Sequence, residues 1–300
     1  MTGEMFALQA FTGLSVFTIL MLMALGLAVI FGLMGVINMA HGELMAMGAY
    51  TTYGTSLLFE AYFPGFMDVY ILVGIVLAFC TTFIFGYFLE RSLIRFLYKR
   101  PLDTMLATWG VGLLLQQVYR QFINPRPVEV PTASWLQGTW QFTDTVSFPI
   151  SRIFIIGLAI LTAVLVYLLL YKTRWGLLIR AVTQNREMSG AVGINQKRVD
   201  AYTFALGSGL AGIAGSSFTM LASTAPDTGQ AYIVDTFIVV VFGGVESLMG
   251  TVLSAFIIGQ MQTWFEFYLS GSMARASILL LVIVVLYFRP NGLFATKVRR

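Results

Sequence analysis

Long apolar stretches alternate with short polar segments along the whole chain. Five stretches are close to the roughly 20 residues that a helix needs to cross a bilayer, and a sixth is shorter. They are 6–31, 69–89, 104–123, 151–171, 201–222 and the shorter 276–288. Two more, 38–59 and 234–265, are interrupted by glycine and polar residues. The pattern predicts an all-α polytopic membrane protein with about eight (7–10) transmembrane helices, some of them interrupted or re-entrant.

Composition supports this reading and excludes others. Apolar residues make up 58% of the chain and charged residues 11%, with a mean hydropathy of +0.82. Ordinary globular proteins carry roughly 25% charged residues, so a soluble enzyme, a disordered chain and a secreted disulfide scaffold are excluded. Cys80 is the one cysteine and cannot form an internal disulfide. We expect residues 1–300 to form a single transmembrane domain.

Basic residues concentrate in segments 91–100, 172–200 and 289–300. Clusters of lysine and arginine between apolar spans mark the cytoplasmic side of a membrane protein. The prediction is therefore a multi-pass protein of the inner (plasma) membrane, with a cytoplasmic loop at 172–200 and a cytoplasmic C-terminal tail at 289–300. Segment 124–150 then becomes an external loop. Basic patches between spans predict contact with membrane lipid and not with nucleic acid.

The orientation also constrains the interrupted stretch 234–265. If it crossed the membrane once, the basic tail would lie outside. We therefore expect it to enter and return, with a break near Gly243, Gly244 and Gly250. Interrupted apolar segments in both halves of a chain indicate a transporter's pathway. In span 201–222, Ser208, Gly212 and Ser216 recur every four residues, which predicts close helix packing, with a functional hinge as the alternative.

Polar side chains inside the spans are the candidates for a transport pathway, because such groups are costly in a membrane. If 38–59 is a regular helix, Asn38 and His41 share one face and Glu43 points about 200° away from His41. Each of the three could line a pathway or tie helices together. The same alternatives hold for a second group in span 104–123, whose amides can both donate and accept hydrogen bonds. Its members are Thr108, Gln116 and Gln117.

The basic loop 172–200 predicts a short helix over 177–191, lying parallel to the membrane and ending at Gly193 in a left-handed conformation. Such a helix could bind anionic lipid, or it could be the contact surface for a cytoplasmic partner that hydrolyses nucleotide. The residues for the second role are Arg180, Arg186, Glu187 and Gly193. The chain has no phosphate-binding loop, because none of its lysines follows glycine. We expect no metal, no cofactor and no catalytic residue, with ATP used by partner subunits.

Three segments carry a resemblance to a known family. Segments 26–50 (with FGLMGVINMAHGE at 31–43), 174–194 and 289–294 (RPNGLF) resemble the permeases of ABC importers for branched-chain amino acids. Within that family, the chain most resembles the urea-transport permeases. The stretches that carry this resemblance are 107–111, 116–117, 128–130, 180–186 and 226–233. The resemblance places the coupling segment of the family at 174–194.

The resemblance implies a permease subunit that works by alternating access and is not itself an enzyme. Its expected partners are a second permease chain, like or unlike, two cytoplasmic ATPase subunits and an extracytoplasmic solute-binding protein. Urea or a short-chain amide is the expected solute, and a branched-chain or other amino acid is the alternative. Two other classes stay open from the residues alone: a passive channel for small neutral solutes, and a membrane-embedded enzyme.

Overall fold

The computed structural model describes residues 3–98, 100–143 and 146–294, and it is helical almost throughout. The helices are α1 (Gly3–Leu27), α2 (His41–Tyr62), α3 (Tyr70–Leu89), α4 (Arg95–Leu97), α5 (Pro101–Phe122), α6 (Ile150–Lys172), α7 (Arg174–Gln184), α8 (Arg186–Ala191), α9 (Gln196–Phe218), α10 (Thr228–Gly243), α11 (Leu248–Tyr268) and α12 (Gly271–Phe288). A π-helical turn, Ala28–Gly32, extends α1, and another, Glu90–Ile94, joins α3 to α4. Lys99 and the tail residues 295–300 belong to predicted basic patches and lie outside the described residues.

Each of the eight predicted apolar stretches has a helical counterpart in this structure. The predicted break in 234–265 is confirmed, because α10 and α11 are separate helices on either side of a short turn. Gly244 opens that turn with a φ of +99°, a conformation that favours glycine. Among the described residues, four helical segments are by length and composition able to cross a membrane. They are Gly3–Gly32, Tyr70–Leu97, Ile150–Lys172 and Gly271–Phe288.

Helix α1 lies at the centre of the bundle. Its most apolar 18-residue window is 83% buried, whereas the corresponding window of α12 is only 17% buried. Helices that are apolar on all sides are typical of a bundle centre or a membrane span; α1 lies at the centre of this chain and α12 at its periphery. The core of the protein therefore forms around α1, with α6, α9, α10 and α11 packed against it.

Helix α9 packs tightly against α2 and α3 through small residues. A β-carbon on Gly212 would overlap the carbonyl oxygen of Ala78 in α3, and one on Gly215 would overlap the carbonyl oxygen of Met45 in α2. The backbones are therefore in direct contact, and the close packing predicted from the spacing of Ser208, Gly212 and Ser216 is confirmed. Small residues permit this approach where larger side chains would hold the helices apart.

The two ends of the bundle differ in structure. Helices α7 and α8 lie at what we call the basic end. The opposite, hairpin end carries the antiparallel strands β1 (Thr139–Thr143) and β2 (Val146–Pro149) within the predicted loop 124–150. Asp68 anchors that loop, since its carboxylate accepts hydrogen bonds from the Ser134 amide (2.8 Å) and hydroxyl (2.6 Å).

Candidate functional site

Two helices begin at one place inside the bundle. Helix α2 follows the non-helical segment 35–40, and α10 follows the non-helical segment 219–227. Their first turns touch, because a β-carbon on Gly42 would overlap the carbonyl oxygen of Gly229, and one on Gly229 would overlap that of Gly42. The first turn of a helix presents unpaired backbone N–H groups, so this meeting point is a polar location within an apolar bundle.

A hydrogen-bond network links the two helix starts to α5. The amide Nε2 of Gln116 donates to Glu43 Oε1 at 2.8 Å and to Gln230 Oε1 at 3.1 Å. Glu43 and Gln116 are buried, with exposed fractions of 3% and 7%, while Gln230 is exposed. The network therefore extends from a buried carboxylate to an amide at the protein surface. It uses two of the predicted pathway residues and one that sequence analysis did not select.

Two tyrosines extend the polar character of this site. The Tyr119 hydroxyl donates to the backbone oxygen of Glu43 at 2.9 Å, and the rings of Tyr50 and Tyr119 lie 4.9 Å apart. Asp227 and Arg120 act electrostatically on Glu43 from the neighbouring loop and from α5. We call Glu43, Tyr50, Gln116, Tyr119 and Gln230 the amide cluster.

His41 lies on the other side of α2 from the amide cluster. Its Nε2 is 3.1 Å from the carbonyl oxygen of Met23 in α1, and the ring is fully buried. The predicted angular separation of His41 and Glu43 is consistent with this placement. His41 thus ties α2 to the central helix, while Glu43 faces α5.

Asn38 corrects the prediction of a helix over 38–59. Helix α2 begins only at His41, so Asn38 shares no helical face with it. The Asn38 side chain instead accepts a hydrogen bond from the Ala40 amide at 3.1 Å. Asparagine competes for nearby backbone groups in this way and favours turns over helix interiors. Asn38 therefore shapes the chain just before α2.

The two remaining pathway candidates, Thr108 and Gln117, have different environments. Thr108 is buried and accepts a hydrogen bond from the Met39 amide at 3.0 Å, so it positions the segment that leads into α2. Gln117 is exposed, and the bonds of the amide cluster run through Gln116 instead. Neighbouring residues on a helix point about 100° apart, which explains why adjacent glutamines have different environments.

The predicted helix over 177–191 is wrong in one respect, because two helices, α7 and α8, occupy this region. Asn185 ends the first, and its side chain caps the second by accepting from the Met188 amide at 2.9 Å. Gly193 has a φ of +86°, which confirms the predicted left-handed stop. The Thr183 hydroxyl donates to the carbonyl oxygen of Leu33 at 2.8 Å. That bond connects α7 to the chain that precedes α2.

The four coupling candidates are placed differently. Arg186 turns inward and forms an ion pair with Asp200 of α9, whereas Glu187 is exposed. Arg180 stacks over the ring of Tyr171 at 5.1 Å. Large apolar side chains are exposed on the same two helices and around them. They are Trp175, Leu177, Met188 and Val192.

Sequence analysis missed Tyr50, Tyr119 and Gln230 of the amide cluster. Tyr50 lies seven residues after Glu43, two helical turns along the same face, and that spacing could have identified it. Gln230 lies within the stretch 226–233 that supports the family resemblance, but its pairing with Gln116 depends on the fold. Within the described residues, no group of three or more histidine, cysteine, aspartate or glutamate side chains could hold a metal ion.

Comparison with known proteins identifies the family. Residues 9–287 match the profile of the branched-chain amino acid transport system permease component. Similar proteins include the branched-chain amino acid permease protein BraD of Pseudomonas aeruginosa (26% identical, covering 95% of this chain and 94% of that protein). LivH of Escherichia coli K12 is 26% identical (96% and 95%), and a probable LivH of Methanocaldococcus jannaschii is 24% identical (92% and 88%).

No solved structure matches the chain. The profile covers most of the chain, and its similar proteins are membrane permeases and not enzymes. The four apolar spanning segments and the helical bundle agree with a polytopic membrane protein. The chain therefore belongs to the family of branched-chain amino acid transport system permease components.

Proposed function

We propose that this chain is the transmembrane permease subunit of an ATP-driven importer for a small polar solute, and that the solute is urea or a short-chain amide. The observation that carries the proposal is the Gln116 amide, which joins the Glu43 carboxylate to Gln230 where α2 and α10 begin. The solute would pass this cluster as the permease alternates between outward-open and inward-open states.

The chemistry of the amide cluster supports a neutral polar solute. A solute that leaves water must find hydrogen-bond partners in the protein, since burying its polar groups unpaired is costly. Amide, hydroxyl and carboxylate groups supply both donors and acceptors for urea. A branched-chain amino acid would require an apolar surface for its side chain, whereas urea requires only hydrogen-bonding groups such as those of Glu43, Gln116 and Gln230.

The remaining partners follow from the family and from the surface of the chain. Glu187 and the exposed apolar side chains of α7 and α8 form the proposed seat for an ATPase subunit. A second permease chain would complete the pathway, and a solute-binding protein would deliver urea at the hairpin end. In this arrangement the basic end and the C-terminus face the cytoplasm, in agreement with the distribution of basic residues.

An amino-acid importer is the second candidate, because the similar proteins are named as branched-chain amino acid permeases. Uptake of labelled urea and labelled leucine by cells lacking the gene, with and without its restoration, separates the two. Restoration of urea uptake alone supports the proposal. Restoration of leucine uptake alone overturns the choice of solute, and restoration of neither excludes both urea and leucine.

The role of the network is tested in the same cells. Gln116→Leu removes the amide that joins Glu43 to Gln230, and urea uptake should fall while the protein level is unchanged. Gln117→Leu is the matched control, since Gln117 is exposed on the same helix. Normal uptake by the Gln116 variant would exclude the amide cluster from the pathway.

A further inference from the structure

Two buried polar atoms of the amide cluster have no hydrogen-bond partner. They are Glu43 Oε2 and the hydroxyl oxygen of Tyr50. Both residues are more than nine-tenths buried, with exposed fractions of 3% and 5%. Unpaired buried polar groups are rare in folded proteins, and each one requires an explanation such as a functional role or a bound molecule.

The two atoms belong to one site. Glu43 and Tyr50 are seven residues apart on α2 and therefore lie on one face of the helix. Both face α5, where Glu43 contacts Gln116 and the Tyr50 ring packs against Tyr119. Long side chains on a helix lean toward its N-terminus, so the Tyr50 hydroxyl is directed back toward Glu43.

The unpaired atoms differ in what they can bind. A carboxylate oxygen only accepts hydrogen bonds, whereas a tyrosine hydroxyl also donates. A ligand that satisfies both must present an N–H or O–H group and, close to it, an acceptor oxygen. A primary amide has both on one carbon atom.

We propose that Glu43 Oε2 and the Tyr50 hydroxyl form a two-point binding site for a primary amide or urea. An N–H group of the ligand donates to Glu43 Oε2, and its carbonyl oxygen accepts from Tyr50. Gln116 holds the other oxygen of Glu43 at 2.8 Å and fixes the orientation of the carboxylate. Asp227 and Arg120 act on Glu43 with opposite charges, an environment that suits a neutral ligand. This site rests on the proposed function and specifies where the solute is recognised.

The test measures binding directly and does not depend on transport. The probe is acetamide, whose methyl protons report binding by saturation-transfer NMR to the importer complex in nanodiscs. N,N-dimethylacetamide keeps the carbonyl oxygen but lacks N–H groups, so it should bind much more weakly to the wild-type complex. Equal binding of the two compounds would overturn the proposed site, because the N–H groups of the ligand would then contribute nothing to binding. The unpaired atoms would in that case bind water or no molecule at all.

Variants locate the site. Tyr50→Phe removes one hydroxyl and Glu43→Met removes the carboxylate at similar side-chain length, and each should weaken acetamide binding about tenfold. Tyr62→Phe is the control, because Tyr62 lies exposed at the far end of α2. Unchanged binding in both site variants would overturn the proposal. Urea uptake is measured separately, so a complex that binds acetamide through Tyr50 but imports no urea would overturn urea as the imported solute and keep the site.

Discussion

Arg186 at the start of α8 forms an ion pair with Asp200 in the first turns of α9. The Asp200 side chain is only 4% exposed and that of Arg186 is 39% exposed. The same guanidinium lies 4.9 Å above the ring of Tyr98, whose hydroxyl donates to Glu90 at 2.7 Å. Arg186 therefore holds α8 against α9 and the rest of the bundle.

Arg186→Ala should destabilise the protein. Removing the guanidinium leaves the buried Asp200 carboxylate without its partner, which costs about 1–3 kcal/mol, and thermal unfolding in detergent should shift to lower temperature. Asp103→Asn is the control, because the Arg100–Asp103 pair is exposed and three residues apart. Such pairs contribute at most about 1 kcal/mol. An equal shift in both variants would contradict the positioning role.

Glu187→Ala should affect coupling without affecting folding. Glu187 is exposed on α8, at the proposed seat of the ATPase. We expect unchanged thermal unfolding but loss of the ATPase stimulation that the loaded binding protein produces in the assembled importer. Glu60→Ala serves as the control, because it removes an exposed acidic side chain at the other end of the bundle. Normal stimulation in the Glu187 variant would remove this residue from the seat.

Gly42→Ala should disrupt the meeting point of α2 and α10. The added methyl group would overlap the carbonyl oxygen of Gly229, and overpacking of this kind costs about 1–3 kcal/mol. Gly54→Ala on the same helix meets open space and should stabilise α2 by up to about 1 kcal/mol. Thermal unfolding of the two variants compares them directly. Similar midpoints would show that the backbones do not touch.

The contact that anchors the loop at the hairpin end should depend on pH. Hydrogen bonds from the Ser134 hydroxyl and amide hold the pKa of Asp68 below its ordinary value of 3.8. A carboxylate with a lowered pKa stabilises the folded loop fully above the ordinary value, and this contribution is lost as the pH falls through the lowered pKa. Fluorescence of Trp135, whose indole donates to the Asp68 carbonyl at 2.7 Å, should report the loss.

Asp68→Asn should remove most of this acid-induced change. The measurement uses a variant in which Trp135 is the one tryptophan, and Glu129→Gln in the same loop is the control. An acid transition that persists unchanged in Asp68→Asn would assign it to another group.

Hydropathy predicted the helices well because membrane helices must be long and apolar, a requirement that is local in sequence. The helix stop at Gly193 and the helix break at Gly244 could also be predicted from local sequence, since each depends on a glycine with a positive φ. Asn38 was misplaced on a helix because its side chain competes for the backbone, which hydropathy does not detect. The pairs Gln116–Gln230 and Arg186–Asp200 could not be predicted, because each joins helices whose approach depends on the whole bundle.

The backbone of Val128 pairs with that of Thr224, as an isolated bridge with hydrogen bonds of 2.9 Å in both directions. Val128 belongs to the loop at the hairpin end, and Thr224 lies three residues before Asp227 in the segment that enters α10. In the proposed importer, a solute-binding protein that docked on this loop and moved Val128 would therefore act on the segment that enters α10. Docking and a movement at the proposed solute site would then be mechanically linked.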